Sequence, residues 1–149
     1  MKLALFVSSL LCGYSAMACP DFSGDYVQLN TNQDVSIYQT KCESIAYVSN
    51  GGKASYTTDG QERLVWKYDI EGAEEGSVIA HVEIYQSRAF QEDAMISTGR
   101  SITTYVDDGK TEEVKSTSRS YFDESKNIIV ETKYADGSSE EDTFVRMGK

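Results

Sequence analysis

The sequence predicts an all-β protein folded as an antiparallel up-and-down meander of about 8–10 strands. Apolar and polar residues alternate with a period of two along most of the chain after residue 19, and helical periodicity is almost absent. Short segments rich in Asp, Asn and Gly separate these stretches and are typical of tight turns. Since such connections are too short for crossover helices, consecutive strands should pair antiparallel. Closure would remove the sheet edges, so we expect a closed or nearly closed barrel, with an open curled sheet or a sandwich as alternatives.

Individual strands can be placed from the alternation. It is clearest in residues 63–70, 78–84 and 128–134. In the first of these, Leu64, Trp66, Tyr68 and Ile70 share one face, which predicts a half-buried strand. Turn sequences occupy residues 50–52, 59–60, 72–76, 107–109, 123–127 and 136–137. Residues 88–94 are less regular, and we interpret them as a longer loop or a short helical turn.

The N-terminus has the form of a secretory signal. Lys2 precedes an apolar run over residues 3–11, and Ala16 and Ala18 supply the small residues of a cleavage site. The run is too short for a lasting transmembrane helix, and no later segment is apolar enough to span a bilayer. We therefore predict a signal peptide over residues 1–18, a single β-barrel domain over residues 19–149, and an exported bacterial protein that is periplasmic or secreted.

Cysteine usage agrees with an oxidising compartment. The chain has three cysteines, and Cys12 lies within the predicted signal. The remaining two, Cys19 and Cys42, most simply form a disulfide. In the alternative, Cys19 is the lipidated first residue of a lipoprotein, although Ala16 stands where such signals usually carry Leu.

The chain is strongly acidic, which restricts its partners. Asp and Glu number 24 against 14 Lys and Arg, for a net charge of -10. Such a surface repels phosphate backbones, and no basic patch with interleaved aromatics offsets it, so nucleic-acid binding is disfavoured. The acidity favours solubility and, among protein partners, basic ones.

The first and last predicted strands carry the sequences FSGDY (residues 22–26) and TFVR (residues 143–146). These segments resemble the calycin superfamily of lipocalins, fatty-acid-binding proteins and avidin-like barrels. There a Gly-x-Trp opens the first strand, and a basic residue from the last strand packs across the Trp ring. The resemblance implies that Gly24 opens the first strand and that Tyr26 and Arg146 form a barrel-closing pair. Tyr replaces Trp in this chain, and the Arg-x-Tyr that binds fatty-acid carboxylates is absent because Met147 follows Arg146.

No residue pattern predicts catalysis or metal binding, and we predict no catalytic residue, metal site or cofactor. His81 is the only histidine and points away from the apolar face of its strand. Neither a recognisable nucleophile motif nor a zinc-ligand pair accompanies it. A hydrolase based on two carboxylates stays open as the enzymatic alternative, since the sequence contains many acidic residues.

Residues 97–120 are rich in Ser and Thr on both strand faces. Such a region either lines a polar cavity, with Arg100 beside the hydroxyl groups, or lies exposed to solvent. In the first case, Trp66 and Tyr68 would join Arg100 in lining the cavity. We therefore predict a non-enzymatic barrel that binds a small apolar or neutral molecule in a lipocalin-like cavity or has a structural role in the envelope. The alternative is an acidic interaction module, such as an inhibitor of a basic secreted enzyme.

Overall fold

The computed structural model describes residues 19–148, and the predicted signal peptide lies outside the described residues. These residues form ten strands and contain no helix. The strands are β1 (Gly24–Gln28), β2 (Gln33–Thr40), β3 (Ser44–Ser49), β4 (Gly52–Thr57), β5 (Arg63–Glu71), β6 (Val78–Gln91), β7 (Ala94–Tyr105), β8 (Thr111–Phe122), β9 (Ile128–Tyr134) and β10 (Ser139–Arg146). The predicted all-β meander is confirmed.

All ten strands belong to one antiparallel sheet, in the order β4-β3-β2-β1-β10-β9-β8-β7-β6-β5. The first and last strands of the chain lie side by side, with Tyr26 of β1 opposite Arg146 of β10. The sheet is strongly curled into a half-barrel. Its two edges, β4 and β5, do not pair with each other within residues 19–148, so the half-barrel is open where a closed barrel would be sealed. We call the gap between β4 and β5 the seam.

The course of the chain between β4 and β5 explains why the seam stays open. After β4 the chain joins the edge of β6, where Asp59 forms an isolated bridge with Ala89. The amide of Gly60 donates to the carbonyl of Arg88 at 2.7 Å. The chain then continues along the same edge of β6 as β5. The edge of β6 is therefore taken up by β5, and the seam is bridged at only one end.

The core fills one end of the half-barrel, the end at which the Asp59–Ala89 bridge crosses the seam. Its buried members, drawn from β1, β2, β3, β7, β9 and the segment before β1, are Phe22, Tyr26, Val35, Ile37, Ile45, Met95 and Ile128. The rings of Phe90 and Phe122 pack on Phe22, with centroids 6.2 and 4.9 Å away. Burial of a side chain of this size contributes about 2 kcal/mol. Phe22 covers this end of the half-barrel, and we call it the plug.

The segment before β1 is held in place by a disulfide and one glutamine. Cys19 and Cys42 are joined, with Cα atoms 5.7 Å apart. The side chain of Gln39 accepts from the amide of Phe22 at 3.0 Å and donates to the carbonyl of Pro20 at 2.8 Å. These links keep Phe22 over the core.

Two local expectations differ from the structure. Residues 88–94 form neither a long loop nor a helical turn, because β6 runs on to Gln91 and a turn of Glu92 and Asp93 leads into β7 at Ala94. The apolar residues of β5 are also largely exposed, with Trp66 at 64%, Tyr68 at 44% and Ile70 at 36%. β5 is an edge strand, and no described strand covers it across the seam.

Candidate functional site

An internal cavity of about 290 Å³ lies within the half-barrel. This volume lies just below the range of about 300–1,000 Å³ typical of small-molecule sites. Its apolar floor is formed by core side chains, namely Phe22, Ile37, Met95, Ile128, Val130 and Phe144. Its polar lining includes Gln86, Arg88, Ser97, Ser116, Ser118, Ser120, Thr132, Glu140 and Asp142. The cavity thus joins an apolar surface to a polar one.

The hydroxyl wall comes from the Ser- and Thr-rich strands β7 and β8. Alternation places Ser97 and Gly99 on the inner face of β7, opposite the serines of β8. A Cβ on Gly99 would lie 2.8 Å from the Oγ of Ser116, so the glycine leaves room for that hydroxyl. Ser118 and Thr132 share a hydrogen bond of 2.8 Å between their hydroxyls. The inner half of the polar region therefore lines a cavity.

Arg88 is the cation of this cavity. Its guanidinium lies over the ring of Tyr56, with Cζ 3.3 Å from the centroid, and 5.8 Å from the ring centroid of Tyr47. Nη2 donates to the Oε1 of Gln86 at 3.0 Å. Nη1 is buried and has no hydrogen-bond partner among residues 19–148. A buried, unpaired donor on a charged group is costly, and Arg88 itself lines the cavity.

The surroundings of Arg88 are aromatic and uncharged on the β3–β4 side. Burial raises the pKa of Tyr47 to about 12, and the charge of Arg88 opposes the rise. Tyr47 is therefore a neutral phenol at physiological pH. In the described part of the chain, Arg88 forms no ion pair with a carboxylate. Its positive charge is thus available to a ligand.

Two carboxylates occupy the β10 side of the cavity, and both already accept hydrogen bonds from neutral groups. The hydroxyl of Tyr134 donates to Glu140 at 2.5 Å. Asp142 accepts from the side chain of Gln28 and, at 2.8 Å, from the amide of Thr143. The cavity therefore has a cationic wall on β6 and an acidic wall on β10.

A second concavity of about 570 Å³ follows the seam, and we call it the seam groove. β4 contributes residues 53–57, the chain after it contributes residues 61 and 63–66, and β6 contributes residues 84 and 86–88. Gln86 and Arg88 line both the seam groove and the internal cavity. The two concavities therefore adjoin at Arg88.

The structure brings together the residues that the calycin resemblance singled out. Arg146 lies over the ring of the buried Tyr26, with Cζ 5.9 Å from the centroid, and donates to the carbonyl of Ser23 at 3.2 Å. The Tyr26 hydroxyl donates to the carbonyl of Phe22 at 3.0 Å. A Cβ on Gly24 would lie 3.2 Å from the Tyr26 ring and 3.3 Å from Arg146, so the absence of a side chain at this position permits the close approach. The pair joins β1 to β10.

The other predicted site residues lie apart from the internal cavity. Trp66 lines the seam groove, and Tyr68 is an exposed residue of β5. Arg100 lies on the outer face, where it donates to Glu62 at 2.6 Å and stacks over Tyr85 at 4.5 Å. It follows Gly99 of the cavity wall, and successive strand side chains point to opposite faces. The structure therefore does not gather Trp66, Tyr68 and Arg100 into one site.

Sequence reasoning missed Arg88 because the residue fell in the stretch interpreted as irregular. A usable pattern was present, since the inner positions of β6 continue at every second residue through Gln86, Arg88 and Phe90. Because Gln86 and Arg88 are polar, the apolar alternation of this strand stops at Ile84.

His81 lies opposite Asp69 on the outer face of the β5–β6 pair, and its Nδ1 is 2.6 Å from the Oδ1 of that carboxylate. Across residues 19–148 no group of three His, Cys, Asp or Glu side chains is arranged to hold a metal ion. Nor does this part of the chain contain a helix long and apolar enough to cross a membrane.

These features define a class: an open, ten-stranded antiparallel half-barrel with an internal cavity and a disulfide-tethered plug. Comparison with protein families, curated proteins and solved structures finds no match for this chain.

Proposed function

We propose that the protein is an exported, non-enzymatic, calycin-like binding protein that holds a small carboxylate-bearing molecule in the internal cavity. The observation that carries this proposal is the buried Nη1 of Arg88, which has no partner within the described residues. The cavity floor is apolar, so the remainder of the ligand is a short apolar group. The sequence alone favoured an apolar or neutral ligand, and the position of Arg88 changes that expectation to an anionic one.

The way Arg88 is held supports recognition of a planar anion. Arg88 packs on Tyr56, with Cζ 3.3 Å from the ring centroid, and a guanidinium donates from N–H groups along the edge of its plane. Gln86 uses one of these donors. A carboxylate accepting from Nη1 would form a charge-assisted hydrogen bond, which is about twice as strong as a neutral one.

Export also belongs to this proposal. The Cys19–Cys42 disulfide is compatible with an oxidising compartment, where such bonds form and persist. The tethered plug then maintains the closed end of the cavity.

The test is a titration of isotope-labelled protein with octanoate, followed by amide chemical shifts. We expect the largest shifts at Ser97, Ser116 and Ser118 on the cavity wall and at Arg88. The matched control ligand is octanamide, which has the same chain and no charge, and we expect it to bind more weakly. Absence of binding, or shifts confined to the outer face around Arg100 and Tyr85, would overturn the proposal.

A further inference from the structure

The seam is wider than the spacing of two paired strands. Paired strands lie about 4.8 Å apart, whereas no Cα of β4 lies within 8 Å of a Cα of β5. One inserted strand would place β4 and β5 about 9.6 Å apart, at twice the ordinary spacing. Each edge carries backbone N–H and C=O groups that no described strand pairs. The seam is therefore a gap between two edge strands, each of which has backbone groups that a further strand could pair with.

One end of the seam is blocked and the other is open. The Asp59–Ala89 bridge and the Arg88–Tyr56 contact cross it beside the end of β4 at Thr57. No comparable link between described residues crosses it beside Gly52, where β4 begins. An incoming segment could thus lie along β4 from Gly52 and stop at Arg88.

The seam groove is basic on an acidic protein. Its charged lining residues are Lys53, Arg63 and Arg88, and none of the described lining residues is acidic. Arg63 is paired with Asp59 at 2.6 Å, whereas Lys53 and Arg88 form no ion pair within residues 19–148. On a chain of net charge -10, this local excess of positive charge is complementary to an acidic segment.

The groove also offers apolar contacts. Leu64, Trp66 and Ile84 line it, and Trp66 is exposed over 64% of its surface. When a strand is added to an open edge, its alternate side chains can pack on an exposed aromatic ring beside that edge.

From these observations we propose that the seam binds an extended, acidic segment of another polypeptide, which pairs with β4 and β5 as an added strand. Acidic side chains of the segment face Lys53 on the outer face of the sheet, and intervening apolar side chains cover Trp66 on the inner face. This interaction goes beyond the proposed small-molecule function, since its occupant and most of its contacts lie outside the internal cavity.

Trp66 provides the measurement, because it is the single tryptophan of the chain. The probe is a capped eight-residue peptide that alternates glutamate with valine. We expect a blue shift of Trp66 emission as the peptide covers the ring, with an affinity that falls as salt is added. The same peptide with lysine in place of glutamate should cause no shift. Equal binding of both peptides, or no shift with either, would overturn the proposal.

Two further comparisons separate strand addition from simple charge attraction. N-methylation of alternate peptide backbone nitrogens, made in both registers, should abolish binding in at least one register, because an edge requires the N–H donors. Lys53→Glu should weaken binding about fivefold or more, whereas Lys133→Glu, on an exposed residue of β9, should leave it unchanged. Unaltered binding of the methylated peptides, or equal effects of the two substitutions, contradicts the proposal. Octanoate should leave Trp66 emission unchanged, so failure here is distinguishable from failure of the cavity proposal.

Discussion

The guanidinium of Arg88 lies over the ring of Tyr56, with Cζ 3.3 Å from the ring centroid, and joins β6 to β4 across the end of the seam. The same residue lines the internal cavity, and its buried Nη1 has no hydrogen-bond partner among residues 19–148. Arg88 therefore belongs both to the bridged end of the seam and to the candidate ligand site.

Loss of the aromatic partner of Arg88 should weaken the contact between β4 and β6 across the end of the seam. Tyr56→Leu removes the cation–π contact, and we expect it to lower the free energy of unfolding by about 1 kcal/mol. The amide of Gly60, which donates to the Arg88 carbonyl at 2.7 Å, should exchange faster with deuterium. Tyr38→Leu, on the exposed face of β2, is the matched control. Unchanged protection of Gly60 in Tyr56→Leu would show that the contact does not hold the seam.

The disulfide should stabilise the folded chain mainly by restricting the unfolded one. Its cysteines are separated by 23 residues, and a loop of this size corresponds to about 3 kcal/mol. Replacement of both cysteines by serine should lower the free energy of unfolding by this amount in chemical denaturation. Reduction of the wild-type protein is the control and should give a similar loss. A mass spectrum of the mature N-terminal peptide tests the pairing itself, because a lipid on Cys19 is incompatible with it.

Gly24 should be intolerant of even a methyl group. In Gly24→Ala the new Cβ would lie 3.2 Å from the Tyr26 ring and 3.3 Å from the Arg146 guanidinium, at a φ of 154°. We expect a loss of about 1–3 kcal/mol by denaturation. The control, Gly51→Ala, adds a Cβ whose nearest neighbour is the Ser49 Oγ at 3.7 Å. Equal stability of the two variants would contradict the packing described for the Tyr26–Arg146 pair.

Tyr47 should make stability fall at alkaline pH. Burial raises its pKa to about 12, above the value of about 10 for an unfolded tyrosine. A raised folded pKa gives a contribution that is complete below pH 10 and is lost as the pH rises towards 12. Between pH 9 and 11, wild-type protein should therefore lose stability more steeply than Tyr47→Phe. Tyr38→Phe serves as the control, and parallel slopes for wild type and Tyr47→Phe would exclude this role.

The sequence predicts the strands well because alternation and turn residues act locally. Residues 78–84, for example, place Ala80 and Val82 inward, and both are buried. The Tyr26–Arg146 contact could also be predicted from the sequence, because the calycin resemblance names both residues. Burial on β5 was not predictable, since Trp66 and Ile70 satisfy a strand pattern whether or not another strand covers them.

The candidate site was harder to predict because its members are distant in sequence. Arg88 acquires its role from Tyr56 and Tyr47, which reach it only through the curl of the sheet. Arg100 satisfies the same alternation on the opposite face and pairs with Glu62 instead. Which of two arginines faces inward depends on register, and a register is set by pairing across the whole sheet.

The most direct test of the account measures how the charge of Arg88 affects ligand affinity. Octanoate and octanamide are titrated calorimetrically into wild-type protein, Arg88→Gln and a control, Arg119→Gln, which removes an arginine that stacks on Tyr121 at 4.6 Å. A lost charge-assisted hydrogen bond corresponds to about 1.5–3 kcal/mol, so Arg88→Gln should weaken octanoate binding at least tenfold. Octanamide binding, and both affinities of Arg119→Gln, should stay within twofold of wild type. Equal affinity of Arg88→Gln and wild-type protein for octanoate would contradict the account.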